Sequence, residues 1–112
     1  MEIAERTVGQ VSILDVSGRI TLTQDHAFLK TKINSMIESG QTRVLVNLAE
    51  VSYIDSAGLG ELLRAFTTIR EAGGSLKLEN ASKRMHDLLS ATKLLTVFQV
   101  FDSEPAAISS FS

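Results

Sequence analysis

The sequence predicts an α/β fold: a mixed sheet of about five strands with about four helices, in a single domain over residues 1–112. Three observations predict it. Apolar residues switch repeatedly between the two-residue period of a strand and the 3.6-residue period of a helix. Segments of the two kinds alternate along the chain, which a layered α/β packing satisfies most economically. The chain has the length of one domain, and its 44% hydrophobic residues are enough for a core.

The elements follow in order. "EIAERTVGQVSILDVSG" reads as a hairpin that turns at Gly9-Gln10, its second strand carrying Val11, Ile13, Leu14 and Val16 and ending at Gly18. Asp15 interrupts that apolar set, so the second strand is expected near an edge or exposed on one face. Leu29, Ile33, Met36 and Ile37 then take helical spacing, with Thr23 as cap, Asp25 in the first turn and Gly40 as the stop. The run Val44 to Val46, extending to Leu48, suits a central strand covered on both faces. Leu59, Leu62, Leu63, Phe66 and Ile69 form the clearest helical stripe, over about 57–72, with Glu61, Arg64, Thr68 and Glu71 opposite and Gly73-Gly74 at its end. "SLKLEN" is a short strand, with Leu76 and Leu78 on one side. Ser82 caps a helix whose apolar positions are Met85, Leu88 and Leu89. "TVFQVFD" reads as the last strand. Asp102 or Ser103 caps a short helix with Pro105 in its first turn, docked by Ile108 and Phe111.

Composition narrows the function. Eleven basic against thirteen acidic residues give a net charge of −2, which offers no field for a nucleic-acid backbone. Cysteine is absent, so disulfides and thiolate metal sites are excluded. His26 and His86 fall on different predicted helices without metal-ligand spacing, so no metal is expected. No phosphate-binding glycine loop precedes a Lys-Ser or Lys-Thr pair, and Gly58-x-Gly60 lacks the third glycine of a dinucleotide fingerprint, so no cofactor is expected either. Asn80-Ala81-Ser82 reads as a turn followed by a cap. The N-terminus lacks the apolar stretch of a signal peptide, and no run of about 18 apolar residues spans a membrane. A cytoplasmic protein that does not insert into membranes is the expectation.

One stretch remains, "VSYIDSAGLGELLRAF", Val51 to Phe66. A polar Asp-Ser-Ala-Gly cluster stands between strand and helix. Either Asp55 or Ser56 accepts a hydrogen bond from an orphan N–H as an N-cap, though neither has Glu or Gln three residues on. A cap alone leaves unexplained two glycines in the first turn, where glycine costs up to about 1 kcal/mol relative to alanine; there they permit close approach of another backbone or of a partner. A serine nucleophile needs a base within reach, and no histidine is placed by sequence near Ser56, so an enzyme is not expected.

"NLAEVSYIDSAGLGELLRAF", Asn47 to Phe66, resembles the signature of the STAS domain, and in particular of the bacterial anti-sigma factor antagonists. The early Gly18-Arg19-Ile20 stretch and the element order also fit, so the likeness spans nearly the whole chain. In that family the serine directly after the aspartate is phosphorylated. The resemblance therefore implies Ser56 as the phosphorylation site, with Ala57 removing a competing hydroxyl. It implies Asp55, Ser56, Ala57, Gly58, Leu59, Gly60 and Thr21 as partner-binding residues. Thr21 stands where the antagonists usually carry an aspartate. The implied mechanism is partner switching: the protein binds an anti-sigma factor with serine-kinase activity, loses that partner on phosphorylation, and is reset by a PP2C-type phosphatase. The family also supplies an alternative, a small unphosphorylated subunit of a membrane lipid-transport ATPase assembly. Chemistry favours the switch, because phosphate adds about −1.5 to −2 charge to an interface shaped around a neutral hydroxyl.

Overall fold

The computed structural model describes residues 2–21 and 26–111, without the side chains of residues 26–28. The expected Thr23 cap and Asp25 lie outside the described residues, as does the side chain of His26. Five strands, β1 (Glu2–Val8), β2 (Val11–Ile20), β3 (Arg43–Ile54), β4 (Ser75–Glu79) and β5 (Val100–Phe101), form one sheet in chain order. The hairpin β1–β2 is antiparallel and every later pairing is parallel. Four helices accompany them: α1 (His26–Glu38), α2 (Ser56–Glu71), α3 (Lys83–Ala91) and α4 (Glu104–Ser109). The predicted single α/β domain with a mixed sheet is what forms.

Parallel strands laid down in order, with crossovers of one hand, place their connecting helices on one face. Accordingly Leu29, Ile33 and Met36 of α1, Leu59, Leu62 and Ile69 of α2, and Met85 and Leu89 of α3 share one core with Leu14 and Val16, Val44, Val46 and Leu48, and Leu76 and Leu78. The other sheet face carries Val11, Ile13 and Leu45 and is covered by α4 through Ala107, with Ile108 and Phe111 packed against it.

Four expectations need correction. β2 does lie next to the edge, between the edge strand β1 and β3, but neither of its faces is left exposed; Asp15 is accommodated because Arg6 of β1 pairs with it at 2.6 Å. β2 also runs through Gly18 to Ile20, Gly18 adopting φ +87° where the β2–β3 register shifts. Leu63 and Phe66 are half-buried, whereas Ala65 and Glu61 are buried, so the core-facing stripe of α2 is rotated toward Leu59, Leu62, Ala65 and Ile69. The last strand shrinks to Val100–Phe101, because Leu94–Thr96 tighten into a 3₁₀ turn after Lys93 at φ +63°. Phe98 then enters the core edge-on to Phe66, at 5.3 Å between centroids and 71° between planes. That packing overrides the β propensity of the segment.

Candidate functional site

β2 and β3 end side by side, Ile20 paired with Ile54. The chain then turns through Asp55 into α2. Asp55 is extended, at φ −105° and ψ −179°, and its Oδ1 accepts from the Gly58 N–H at 2.7 Å. Its own N–H donates to the Ile20 carbonyl at 3.4 Å, and its carbonyl accepts from Leu59 at 2.9 Å. Of the two caps the sequence allows, the structure uses Asp55. Ser56, the first helical residue, is exposed, and its hydroxyl makes no hydrogen bond among the described residues.

The two glycines separate by role. A Cβ on Gly58 would stand 1.9 Å from the Ile20 carbonyl oxygen, so glycine there lets α2 start against the backbone of β2. A Cβ on Gly60 would meet only the Arg64 side chain, at 3.8 Å. Among the described residues nothing requires Gly60 to be glycine.

The expected partner-binding residues are thus brought to one end of the sheet but differ in access. Ser56 is exposed, and Thr21, Asp55, Ala57 and Gly60 are half-buried. Gly58 and Leu59 are buried. Thr21 directly follows Ile20, whose carbonyl touches both the Asp55 N–H and the space beside Gly58.

Beside Ser56 opens a hollow of about 420 Å³, lined among others by Tyr53, Ile54, Ser82, Arg84 and Met85. Arg84 is exposed in the first turn of α3, and Tyr53 is 37% exposed with the Arg19 guanidinium 4.8 Å from its ring centroid. Sequence reasoning missed Arg84 and Tyr53 as neighbours of Ser56. Arg84 lies 28 residues away on another helix, and no local pattern announces such a pairing. Among the described residues lining the hollow there is no imidazole to activate Ser56. A hydroxyl that receives a phosphoryl group needs none of its own, because the kinase brings the base. No group of three or more potential metal ligands assembles among the described residues. No helix among them is long and apolar enough to cross a membrane.

Comparison with known proteins gives this geometry a context. The family model of the STAS domain matches residues 2–107. The anti-sigma-B factor antagonist of Bacillus subtilis strain 168 is 38% identical over 72 residues, a match that spans 64% of this chain and 65% of that protein. The anti-sigma-B factor antagonist of Listeria monocytogenes serovar 1/2a is 31% identical over 108 residues, covering 93% of this chain and 90% of the relative. The Bacillus cell fate determinant SpoIIAA, solved in its phosphorylated form, superposes with a TM-score of 0.76 at 20% identity, covering 99% of this chain and 100% of that one. At that identity the likeness speaks for the fold.

Proposed function

The chain belongs to the STAS domain family, and on that premise we propose that it is an anti-sigma factor antagonist, a regulatory binding protein and not an enzyme, switched off by phosphorylation of Ser56. The observation that carries the reading is the division of labour at the start of α2. Asp55 holds the cap, which leaves the Ser56 hydroxyl exposed on the first residue of the helix and unengaged among the described residues. Anti-sigma-B factor antagonists among its relatives support the role.

The partner is an anti-sigma factor with serine-kinase activity, met in the cytoplasm, and a PP2C-type phosphatase restores the binding form. Ser56, Ala57, Gly60 and Thr21 form the contact surface. Gly58 and Leu59 act from beneath, by fixing where that surface stands. The missing side chain at Gly60 suits close approach by the partner. Phosphate on Ser56 places about −1.5 to −2 charge beside Asp55. The helix N-terminus tolerates that charge in the free protein. A closed interface without a counter-charge does not. Release thus follows with no rearrangement of the antagonist.

The test is calorimetric titration of wild type, Ser56→Ala, Ser56→Glu and phosphorylated protein against the candidate anti-sigma kinase with nucleotide present, alongside phosphosite mapping. Binding retained by wild type and Ser56→Ala, weakened by Ser56→Glu and lost on phosphorylation, with phosphate confined to Ser56, is the expected pattern. Equal affinity for the unphosphorylated and phosphorylated proteins, or phosphate incorporated elsewhere in Ser56→Ala, overturns it.

A further inference from the structure

The sheet face under α4 carries a line of polar side chains that the proposed function does not use. Arg6 of β1 donates to Asp15 of β2 from Nε at 2.6 Å and from Nη2 at 2.9 Å. The same guanidinium donates to Glu104 of α4 from Nη2 at 2.7 Å and from Nη1 at 3.2 Å. Asn47 of β3 donates to Asp15 at 2.8 Å, and Asn80 donates to Asn47 at 3.0 Å. Glu79 of β4 is paired in register with Asn47 on one side and Phe101 on the other and is 0% exposed.

Neither carboxyl oxygen of Glu79 meets a donor among the described residues. The Arg6 fork is shared between the other two acids. What Glu79 faces is the carboxyl of Glu104. Two carboxylates offer only acceptors, whereas one carboxyl and one carboxylate make a strong hydrogen bond. A proton is therefore the missing part of this contact.

We propose that Glu79 is a proton-operated latch for the C-terminal helix: protonated, it donates to Glu104 and holds the start of α4 on the sheet; ionised, it leaves an uncompensated charge beneath α4 and loosens it. The surroundings of Glu79 argue for this from every side. β1 contributes Arg6, β2 contributes Asp15 and α4 contributes Glu104, so three carboxyl groups in all share one guanidinium. β3 and β5 contribute the uncharged Asn47 and Phe101. On its own strand Lys77 is two residues away, but its Nζ donates to the Ser110 carbonyl at 2.8 Å and to the Ser110 Oγ at 2.9 Å, and lies 4.6 Å from the Phe111 ring centroid. Lys77 thus secures the far end of α4 and gives Glu79 no hydrogen bond. Burial first, then Glu104 and Asp15, against the opposing pull of Arg6, push the Glu79 carboxyl up to about 7, so the latch operates near neutrality.

The latch lies on the sheet face opposite α2, so its test is independent of Ser56. Hydrogen exchange of the Ala107 and Ser110 amides, which close α4 onto the Ser103 and Ala106 carbonyls, is followed from about pH 5.5 to about pH 8.5 and corrected for intrinsic chemistry. Wild type is expected to open about tenfold more readily at the upper end, the equivalent of one pKa unit. Amides in the middle of α2 should keep their protection. Glu79→Gln, which donates to Glu104 at every pH in that range, should show no such rise. The Glu79 side-chain carbon, followed by NMR in wild type, should titrate well above an ordinary carboxyl. A pH-independent α4 in wild type, an unchanged pH response in Glu79→Gln, loosening that extends equally to α2, or a Glu79 that titrates like a surface glutamate would each overturn the latch.

Discussion

Gly58 and Gly60 are two residues apart and obey different constraints. The first excludes a side chain because the Ile20 carbonyl occupies the space; at the second a Cβ would make only ordinary contact with the Arg64 side chain among the described residues. Gly58→Ala should therefore destabilise the fold by about 1–3 kcal/mol, the cost of forced overpacking against backbone. Gly60→Ala should stabilise it by about 0.5–1 kcal/mol, because alanine is the better helix former and has less freedom to lose. Urea unfolding of the two variants checks both signs; a Gly58→Ala as stable as wild type would remove the packing explanation. The same scale separates Asp55 from Ser56. If Ser56 held the cap, Ser56→Ala would lose about 0.5–2 kcal/mol. With Asp55 accepting the Gly58 N–H, that loss belongs to Asp55→Ala, and Ser56→Ala should stay within about 0.5 kcal/mol of wild type. Binding defects in Ser56 variants can then be read without a correction for folding.

At the scale of elements, the faces of α2 set the energetics. Leu62 is 0% exposed and Leu63 only half-buried, on the side of the α1–α2 groove. Leu62→Ala should cost about 2–5 kcal/mol, as for other fully buried leucines, and Leu63→Ala about half as much. Unfolding midpoints of the pair decide it: equal losses would place the core stripe where the simple helical count puts it, through Leu63. The shift has a physical source. The groove between α1 and α2 is wide enough to leave Leu63 partly in water, while Glu61 is drawn inward and neutralised by Arg64. Phe98 fills the space beside Phe66 from the connection between the 3₁₀ turn and β5, so a side chain outside the strands completes the face that α2 itself leaves open.

For the molecule as a whole, charge ties β1, β2, β4 and α4 together, and this makes stability depend on pH in two opposed ways. The carboxyls of Asp15 and Glu104 are held below their ordinary values chiefly by Arg6, and that of Glu5 chiefly by Lys32. Their folded forms bind fewer protons than the unfolded chain, so their contribution is present above the ordinary carboxylate range and is lost on acidification. Glu79 has the opposite sign. Raised from 4.5 to about 7, it binds more protons folded than unfolded across that interval. Its contribution is full below about 4.5 and falls away as pH rises to about 7. Stability should pass through a maximum on the acid side of neutrality. Glu79→Gln should flatten the upper limb and leave the acid limb, while Arg6→Ala should weaken the acid limb. Urea midpoints measured across the range are the check, and an upper limb that survives Glu79→Gln would assign the titration to another group.

The sequence by itself determined the alternation of strand and helix, the central place of the Val44–Val46 strand, the cap at Ser82, and the cluster around Ser56, because each is written in local periodicity or in residues that act on their own backbone; it left the cap of the last helix between Asp102 and Ser103, and the structure uses Ser103. It also carried the family likeness, since the Asp-Ser-x-Gly-Leu-Gly segment is contiguous. Only the tertiary structure decided that Asp55 is the cap, that β2 is an inner strand, that Gly58 meets Ile20, that Arg84 and Tyr53 stand beside Ser56, and that Glu79 is buried opposite Glu104. The cap was left open because Asp55 and Ser56 both fit it locally; the other four join residues from different elements. "SLKLEN" shows the limit: its alternation gives Leu76 and Leu78 one face and Lys77 and Glu79 the other, which reads as a strand with a solvated side. That side is covered because α4, 25 residues after Glu79, folds back across it. Burial of a charge depends on what the chain lays over it, and no local pattern encodes that.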